Sequence, residues 1–282
     1  MHAKKFTSAQ LTKAYKKACM AELQALKPGN VHVFADGHGM TIHDFIQSAD
    51  VTAEIISRAD LTLGERILYA AEATKNTVGQ NTNLGVLLLS APIIEAALAL
   101  DDGMSLQQSL HDTLSRLTVS DAEYASRAIV LASPGGLGNA GQYDVREIPN
   151  VSLLTMMRAA QDRDRIAWQY ANDFKDVLEF GVSCYADAMM QWQNPAWSAT
   201  ALYLAFLAHY PDTHIVRKYG ESFAESIRLE AAEFERMHIT AENPKLVQKK
   251  LLDWDSSLKQ RSINPGTSAD LTVATLLLSE LI

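Results

Sequence analysis

Glu22 is the first residue whose position calls for a chemical explanation. In a 3.6-residue repeat it shares a face with Leu11, Tyr15 and Ala18. A carboxylate in line with an apolar stripe must meet a cation or a metal, because an unpaired buried charge is costly. The other reading is a helix that ends soon enough for the side chain to bend out to water. Lys27-Pro28-Gly29-Asn30 follows. Pro28 stops the helix and Gly29 lets the backbone turn tightly. Lys27 is then either a cation at a fixed turn, suited to phosphate, or part of an ordinary helix exit. His38 stands between Gly37 and Gly39, with His32 and His43 near it. The spacing of the three matches no metal-ligand pattern, which favours solvated loop histidines.

Four more polar clusters carry candidate chemistry. Gly79-Gln80-Asn81-Thr82-Asn83 precedes an apolar run from Leu84. Asn and Thr cap helices, and a helix start with polar groups around it also attracts anions. The segment 133–150 holds Gly135, Gly136, Gly138 and Gly141 and ends in Asp144, Arg146 and Glu147. It fits no dinucleotide or P-loop pattern. It is either a loop that closes over a charged ligand or a solvated loop with a surface ion cluster. Asp212-Thr213-His214 with Arg217, Lys218 and Gly220 makes another block, in which Asp212 can also cap a helix. Asn264-Pro265-Gly266-Thr267-Ser268-Ala269-Asp270-Leu271 reads as a tight turn before a last helix. Thr267 or Ser268 would cap that helix, and Asp270 would sit in its first turn, where a negative charge favours the helix dipole.

Helical periodicity must position these clusters. Thr7 with Gln10 and Thr41 with Asp44 mark helix starts. Further helical patterns run over 64–77, 84–100, 105–118, 120–132, 151–160, 164–190, 197–210, 220–239, 244–260 and 270–281. The polar stretches 27–40, 78–83, 133–150, 211–219 and 261–269 read as loops. No segment alternates cleanly at a period of two, so the sequence predicts an all-α fold. No linker divides its 282 residues, and one multi-helix domain over 1–282 is expected. At that size a chain buries about three quarters of its unfolded surface without disulfides or metal staples.

A net charge of −8 disfavours nucleic acid and anionic membranes as partners. The apolar run from Leu84 to Leu100 carries Gly85, Pro92 and Glu95 and is too interrupted for a span. The N-terminus is polar (Lys4, Lys5, Ser8, Gln10) and lacks the apolar core of a signal peptide. Two distant cysteines, Cys19 and Cys184, fit a reducing compartment. These features imply a cytoplasmic protein that acts on small molecules, and they leave a homo-oligomer open.

Taken in order, the clusters resemble the triphosphoribosyl-dephospho-CoA synthase family. The matching residues begin with Glu22, Lys27-Pro28-Gly29 and Gly37-His38-Gly39-Met40, then Phe45 and Ser48. They continue through Gly79-Gln80-Asn81-Thr82-Asn83-Leu84-Gly85, Asp212-Thr213, Lys218, Gly220 and the block from Asn264 to Leu271, the most specific piece. The resemblance implies a transferase that joins ATP's ribose C1 to a hydroxyl of dephospho-CoA and expels adenine, with the triphosphate retained. It implies ATP and Mg²⁺ as cofactors and a cofactor precursor as substrate. Under that reaction Glu22, Asp212 and Asp270 are the candidate metal ligands or bases. Lys27, Gly29, Asn30, His38, Asn81, Thr82, Lys218, Asn264, Gly266 and Ser268 would form the nucleotide site. Asp144, Arg146 and Glu147 would face the acceptor. Two departures mark a divergent branch. Gly39 stands where the family usually has Asp, and the middle loop from Ser133 to Asn150 lacks the family's usual T-G-x-R-G-E-A. They keep three alternatives in view: a related phosphoryl- or ribosyl-transferase making another cofactor such as a one-carbon carrier, an all-α metal-assisted ribosyl hydrolase, and a non-catalytic nucleotide-binding protein.

Overall fold

Reciprocal caps start the first three helices. Thr7 accepts from the amide of Gln10, whose side chain accepts from the Thr7 amide at 2.9 Å, opening α1 (Ser8–Gln24). Thr41 with Asp44 opens α2 (Ile42–Ile56), and Thr62 with Glu65 opens α3 (Leu63–Val78). The chain continues through α4 (Leu84–Leu98), α5 (Leu106–Ser115), α6 (Val119–Ala132), α7 (Leu153–Ala160) and α8 (Arg165–Ala171). A π-helix, π1 (Asp176–Gly181), leads into α9 (Val182–Trp192), α10 (Pro195–His209) and α11 (Thr213–Tyr219). Then come α12 (Glu221–Ile239), α13 (Lys245–Gln260) and α14 (Gly266–Ser279). This computed structural model describes residues 6–135, 137–138 and 140–282. Lys4, Lys5 and Gly136, all used above, lie outside them. The all-α expectation holds: the described residues contain only isolated bridges outside the helices, His32 with Ala35 and Gly37 with Met40.

Helices α4, α10 and α14 are apolar on nearly every face and form the centre, as such helices must. Helix α14 packs on α1, α4 and α10. One apolar cluster gathers α1 to α8 with π1. A second gathers α11 to α13, and α10 and α14 place side chains in both. Among the described residues no helix is long and apolar enough to cross a membrane. Cys19 is buried, Cys184 is half-buried, and both are free thiols.

Three boundaries differ from the sequence reading. The stretch 164–190 is not one helix, because Asp173 and Phe174 adopt left-handed backbone with φ of 51° and 57°. Phe174 is thereby fully buried. Just beyond it, the Asp176 carboxylate accepts from Arg165, Gln169 and Tyr210. The stretch 211–219 is not a loop. Asp212 Oδ1 accepts from the amides of His214 and Ile215 at 2.9 and 3.2 Å and starts α11. Helix α14 begins at Gly266, so Thr267 and Ser268 are helical residues rather than caps, and Asp270 lies beyond the first turn.

Candidate functional site

One cavity of about 630 Å³ lies where α1, α4, α6, α8, α11 and α14 meet. That size is ordinary for a small-molecule site. Its apolar side comes from α6, α7 and the loop before α7, through Ala125, Ile129, Val145, Leu153 and Met156. Its polar side is drawn from segments far apart in sequence. Glu22, Asn30, His38, Asn81 and Thr82 line it from the first third of the chain. Lys218, Asn264, Gly266 and Asp270 line it from the last third, and Asp144 from the middle loop.

Glu22 has the partner its position demanded. Its carboxylate pairs with the ammonium of Lys27, which is fully buried. Lys27 also donates to Asn30 Oδ1 at 3.1 Å, and Asn30 Nδ2 donates to Asn264 Oδ1 at 2.7 Å. Glu22, Asn30 and Asn264 line the cavity while Lys27 sits behind them. Burial pushes the Glu22 carboxyl up and the Lys27 ammonium down, and their mutual attraction opposes both shifts.

Gly29 also lies behind the wall, at φ 84°. A Cβ there would meet Pro265 at 2.8 Å, so the KPG turn and the NPG turn fit together only through this glycine. The Gly29 amide donates to Asp255 Oδ1 at 2.8 Å, and Lys259 donates to the same carboxylate at 3.0 Å. Nothing in the sequence marked Asp255, an acid inside a helical pattern, as part of this framework.

Asp212 is spent on protein donors. Besides starting α11, its Oδ2 accepts from the amide and hydroxyl of Ser268, each at 2.8 Å. Neither Asp212 nor Ser268 lines the cavity. Together they lock the start of α11 to the start of α14, which places Lys218 and Asp270 on the same cavity. Arg146 and Glu147 are exposed and off the cavity wall. Arg146 donates to the Gly138 carbonyl at 2.9 Å and pairs with Asp144 at 3.2 Å. Asp144 also accepts from the Ala140 amide at 3.0 Å, and these amides hold its carboxyl below the usual range.

Asp270 differs from every other acid here. It lines the cavity, and no hydrogen bond or ion pair from a described residue reaches its carboxylate. Burial, then the neighbouring carboxylates of Glu22 and Asp212, push its carboxyl well up.

Asn81 Oδ1 accepts from the Leu84 amide at 3.1 Å, so it caps α4 as well as lining the cavity. Thr82 and Ser48 share a hydrogen bond between their hydroxyls.

Sequence reasoning left several cavity residues out of the site. Arg217 neighbours Lys218 on α11 and pairs with Asp164 at 2.6 Å. Arg163 and Asp164 come from the α7–α8 junction, where the only sequence signal was the charge run Asp162-Arg163-Asp164-Arg165. His214 lies against Gly266, with Nδ1 2.6 Å from where a Cβ would be. Its Nε2 is buried without a partner. Burial, then Arg217 and Lys218, push the His214 imidazole down to about 3.

Among the described residues no three carboxylate, imidazole or thiol groups stand close enough to hold an ion. Glu22, Asp212 and Asp270 therefore do not form a three-acid cage: Asp212 is consumed by amides and Glu22 by Lys27. A magnesium ion carried by nucleotide phosphates needs only one or two carboxylates. Asp270, unpaired on the wall, fits that smaller requirement.

A helical scaffold that brings cations, amides and one unpaired carboxylate to one small-molecule cavity is the framework of a soluble-substrate transferase. The chain belongs to the family of ATP:dephospho-CoA triphosphoribosyl transferases, whose model matches residues 8–282. Members are transferases that use ATP and dephospho-CoA in cofactor biosynthesis. The same fold occurs in the crystal structure of an Archaeoglobus fulgidus protein assigned to triphosphoribosyl-dephospho-CoA synthase. The two align with a TM-score of 0.63 at 21% identity over 85% of this chain and 98% of that one. No curated protein matches the chain in sequence.

Proposed function

We propose that the 630 Å³ cavity is where the triphosphoribosyl group leaves adenine and meets the acceptor hydroxyl, with the whole chain acting as one domain in the cytoplasm. The observation that carries this reading is the unpaired Asp270 lining the same cavity as Lys218, Arg217 and Arg163. Cleaving an N-glycosidic bond builds positive charge at ribose C1. The arrangement meets both ends of that demand. The cationic side chains of α11 and the α7–α8 junction hold phosphates, helped by Asn81 and Thr82 at the start of α4. Asp270 would hold Mg²⁺ on the triphosphate, which shields phosphate charge when bound. The apolar wall of α6 and α7 receives the uncharged part of the acceptor, and Asp144 borders it. Lys27 supports the site from behind, by fixing Glu22 and Asn30.

Mass spectrometry of products from ATP, Mg²⁺ and dephospho-CoA tests this reading. Free adenine with an equal amount of triphosphoribosyl adduct is the expected result. ADP in place of adenine would indicate phosphoryl transfer, and ribose triphosphate without adduct would indicate hydrolysis.

A further inference from the structure

We propose that His38 is the general base of the transfer, taking the acceptor's hydroxyl proton on Nδ1. This rests on the function proposed above and adds the group that activates the acceptor.

The tautomer follows from geometry. His38 Nε2 lies 2.7 Å from the carbonyl oxygen of Gly29. A carbonyl accepts only, so Nε2 carries the hydrogen. In the neutral ring Nδ1 then holds a free lone pair. No described residue partners Nδ1, it is not a sealed atom, and His38 lines the cavity. The backbone supports the same conclusion. His38 is a non-glycine residue at φ 57°, set between Gly37 and Gly39 and held by the Gly37–Met40 bridge. Left-handed backbone of this kind is sustained only where the surroundings enforce it, and it concentrates at working sites. Here the anchor is the KPG turn, itself fixed by Asp255 through the Gly29 amide.

The other acids and imidazoles on the cavity are unsuited. Glu22 is paired with Lys27. Asp164 is paired with Arg217, and Asp144 is tied to Arg146 and the amides of its own loop. Asp270 is the carboxylate left for the metal-bearing triphosphate. His214 is too weak a base, with its imidazole at about 3. His38 is lowered only from its ordinary value, by burial first, with the Gly29 hydrogen bond opposing. Lys218 of α11 and Lys259 of α13 lower it further and Asp255 of α13 opposes them. It is therefore unprotonated at neutral pH, with the Nδ1 lone pair open to the cavity.

The step balances. The bond from ribose C1 to adenine breaks with its electron pair on adenine, and the acceptor oxygen bonds to C1. The hydroxyl proton passes to Nδ1 of His38. Adenine leaves neutral after taking up one proton, and His38 returns its proton to solvent.

The substitution His38→Gln tests the assignment, because its amide still donates to Gly29 but supplies no titratable lone pair. Expected are ATP affinity close to wild type by calorimetry, kcat lower by about a hundredfold, and loss of the acidic limb of the pH–rate profile. A purely structural role would leave that limb in place. A folded His38→Gln protein with the limb intact and kcat within about threefold of wild type overturns the proposal. If the variant does not fold, NMR of the histidine-labelled wild-type protein decides: the Nε2–H tautomer supports the proposal and the Nδ1–H tautomer overturns it. Failure of the wild-type protein to release adenine would instead overturn the proposed function.

Discussion

Asp270 keeps its place only because residue 85 is glycine. Its Oδ2 lies 2.0 Å from where a Cβ on Gly85 would stand, and Ile166 Cδ1 lies 2.9 Å from the same point. Helix α4 thus spends a glycine near its start, at a propensity cost of about 1 kcal/mol relative to alanine, to admit a carboxylate from α14. Gly85→Ala should displace Asp270. Because the propensity gain offsets part of the clash, melting should change little, while adenine release should fall by at least about tenfold, as expected when a reacting group is misplaced. A folded Gly85→Ala protein with wild-type turnover would show that the close approach is incidental.

Asp270→Asn separates function from stability. The folded-state carboxyl is pushed well above its usual value by burial without a partner. A raised acid contributes stability that is complete below the unfolded value and is lost as pH rises through the folded one. At pH above that range the free protein carries a destabilising charge, so Asp270→Asn should raise its melting temperature there and leave it unchanged in acid. Turnover should drop by at least about a hundredfold. Equal melting curves at neutral pH, or preserved turnover, would count against the role given to this residue.

The Glu22–Lys27 pair should behave as a unit. Lys27→Met strands a buried carboxylate and should cost about 3–5 kcal/mol, whereas the double variant Glu22→Gln with Lys27→Met should recover much of that loss. Denaturant titration of the three variants gives the coupling. Additive effects would mean that the two charges do not depend on each other.

Asp212 is assigned a clamp rather than a metal site. Asp212→Asn keeps one acceptor but weakens the bonds to Ser268 and to the start of α11. Losing charged hydrogen bonds of this kind should cost roughly 1.5–3 kcal/mol. The loss should be the same with and without Mg²⁺ in calorimetric melts. A loss that appears only in the presence of Mg²⁺ and ATP would return Asp212 to the list of metal ligands.

The local signals of the sequence were reliable where the physics is local. Threonine caps, the proline stop at Pro28 and the 3.6-residue repeats define helix starts and apolar faces within a few residues of chain, and the order of polar clusters identified the family. The buried position of Glu22 was legible too, because an acid in an apolar stripe demands a partner. Which partner it would find was not legible. Lys27 was read as facing phosphate and Asp212 as facing metal, yet both are turned into the scaffold. Asp164, Arg217 and Asp255 are charged residues in runs that look like solvated surface. The left-handed pair at Asp173 and Phe174 broke a helix that periodicity made continuous.

The sequence by itself determined an all-helical chain, its family and the set of polar groups available for chemistry. The tertiary structure decided which of those groups remain free. Hydrogen-bond capacity is finite, and a carboxylate whose oxygens already meet amides or an ammonium has none left for a ligand. Asp212 is filled by Ser268 and the first amides of α11, and Glu22 is engaged by Lys27. Asp270 lies against the bare backbone of Gly85, a contact between residues 185 positions apart that no local pattern encodes.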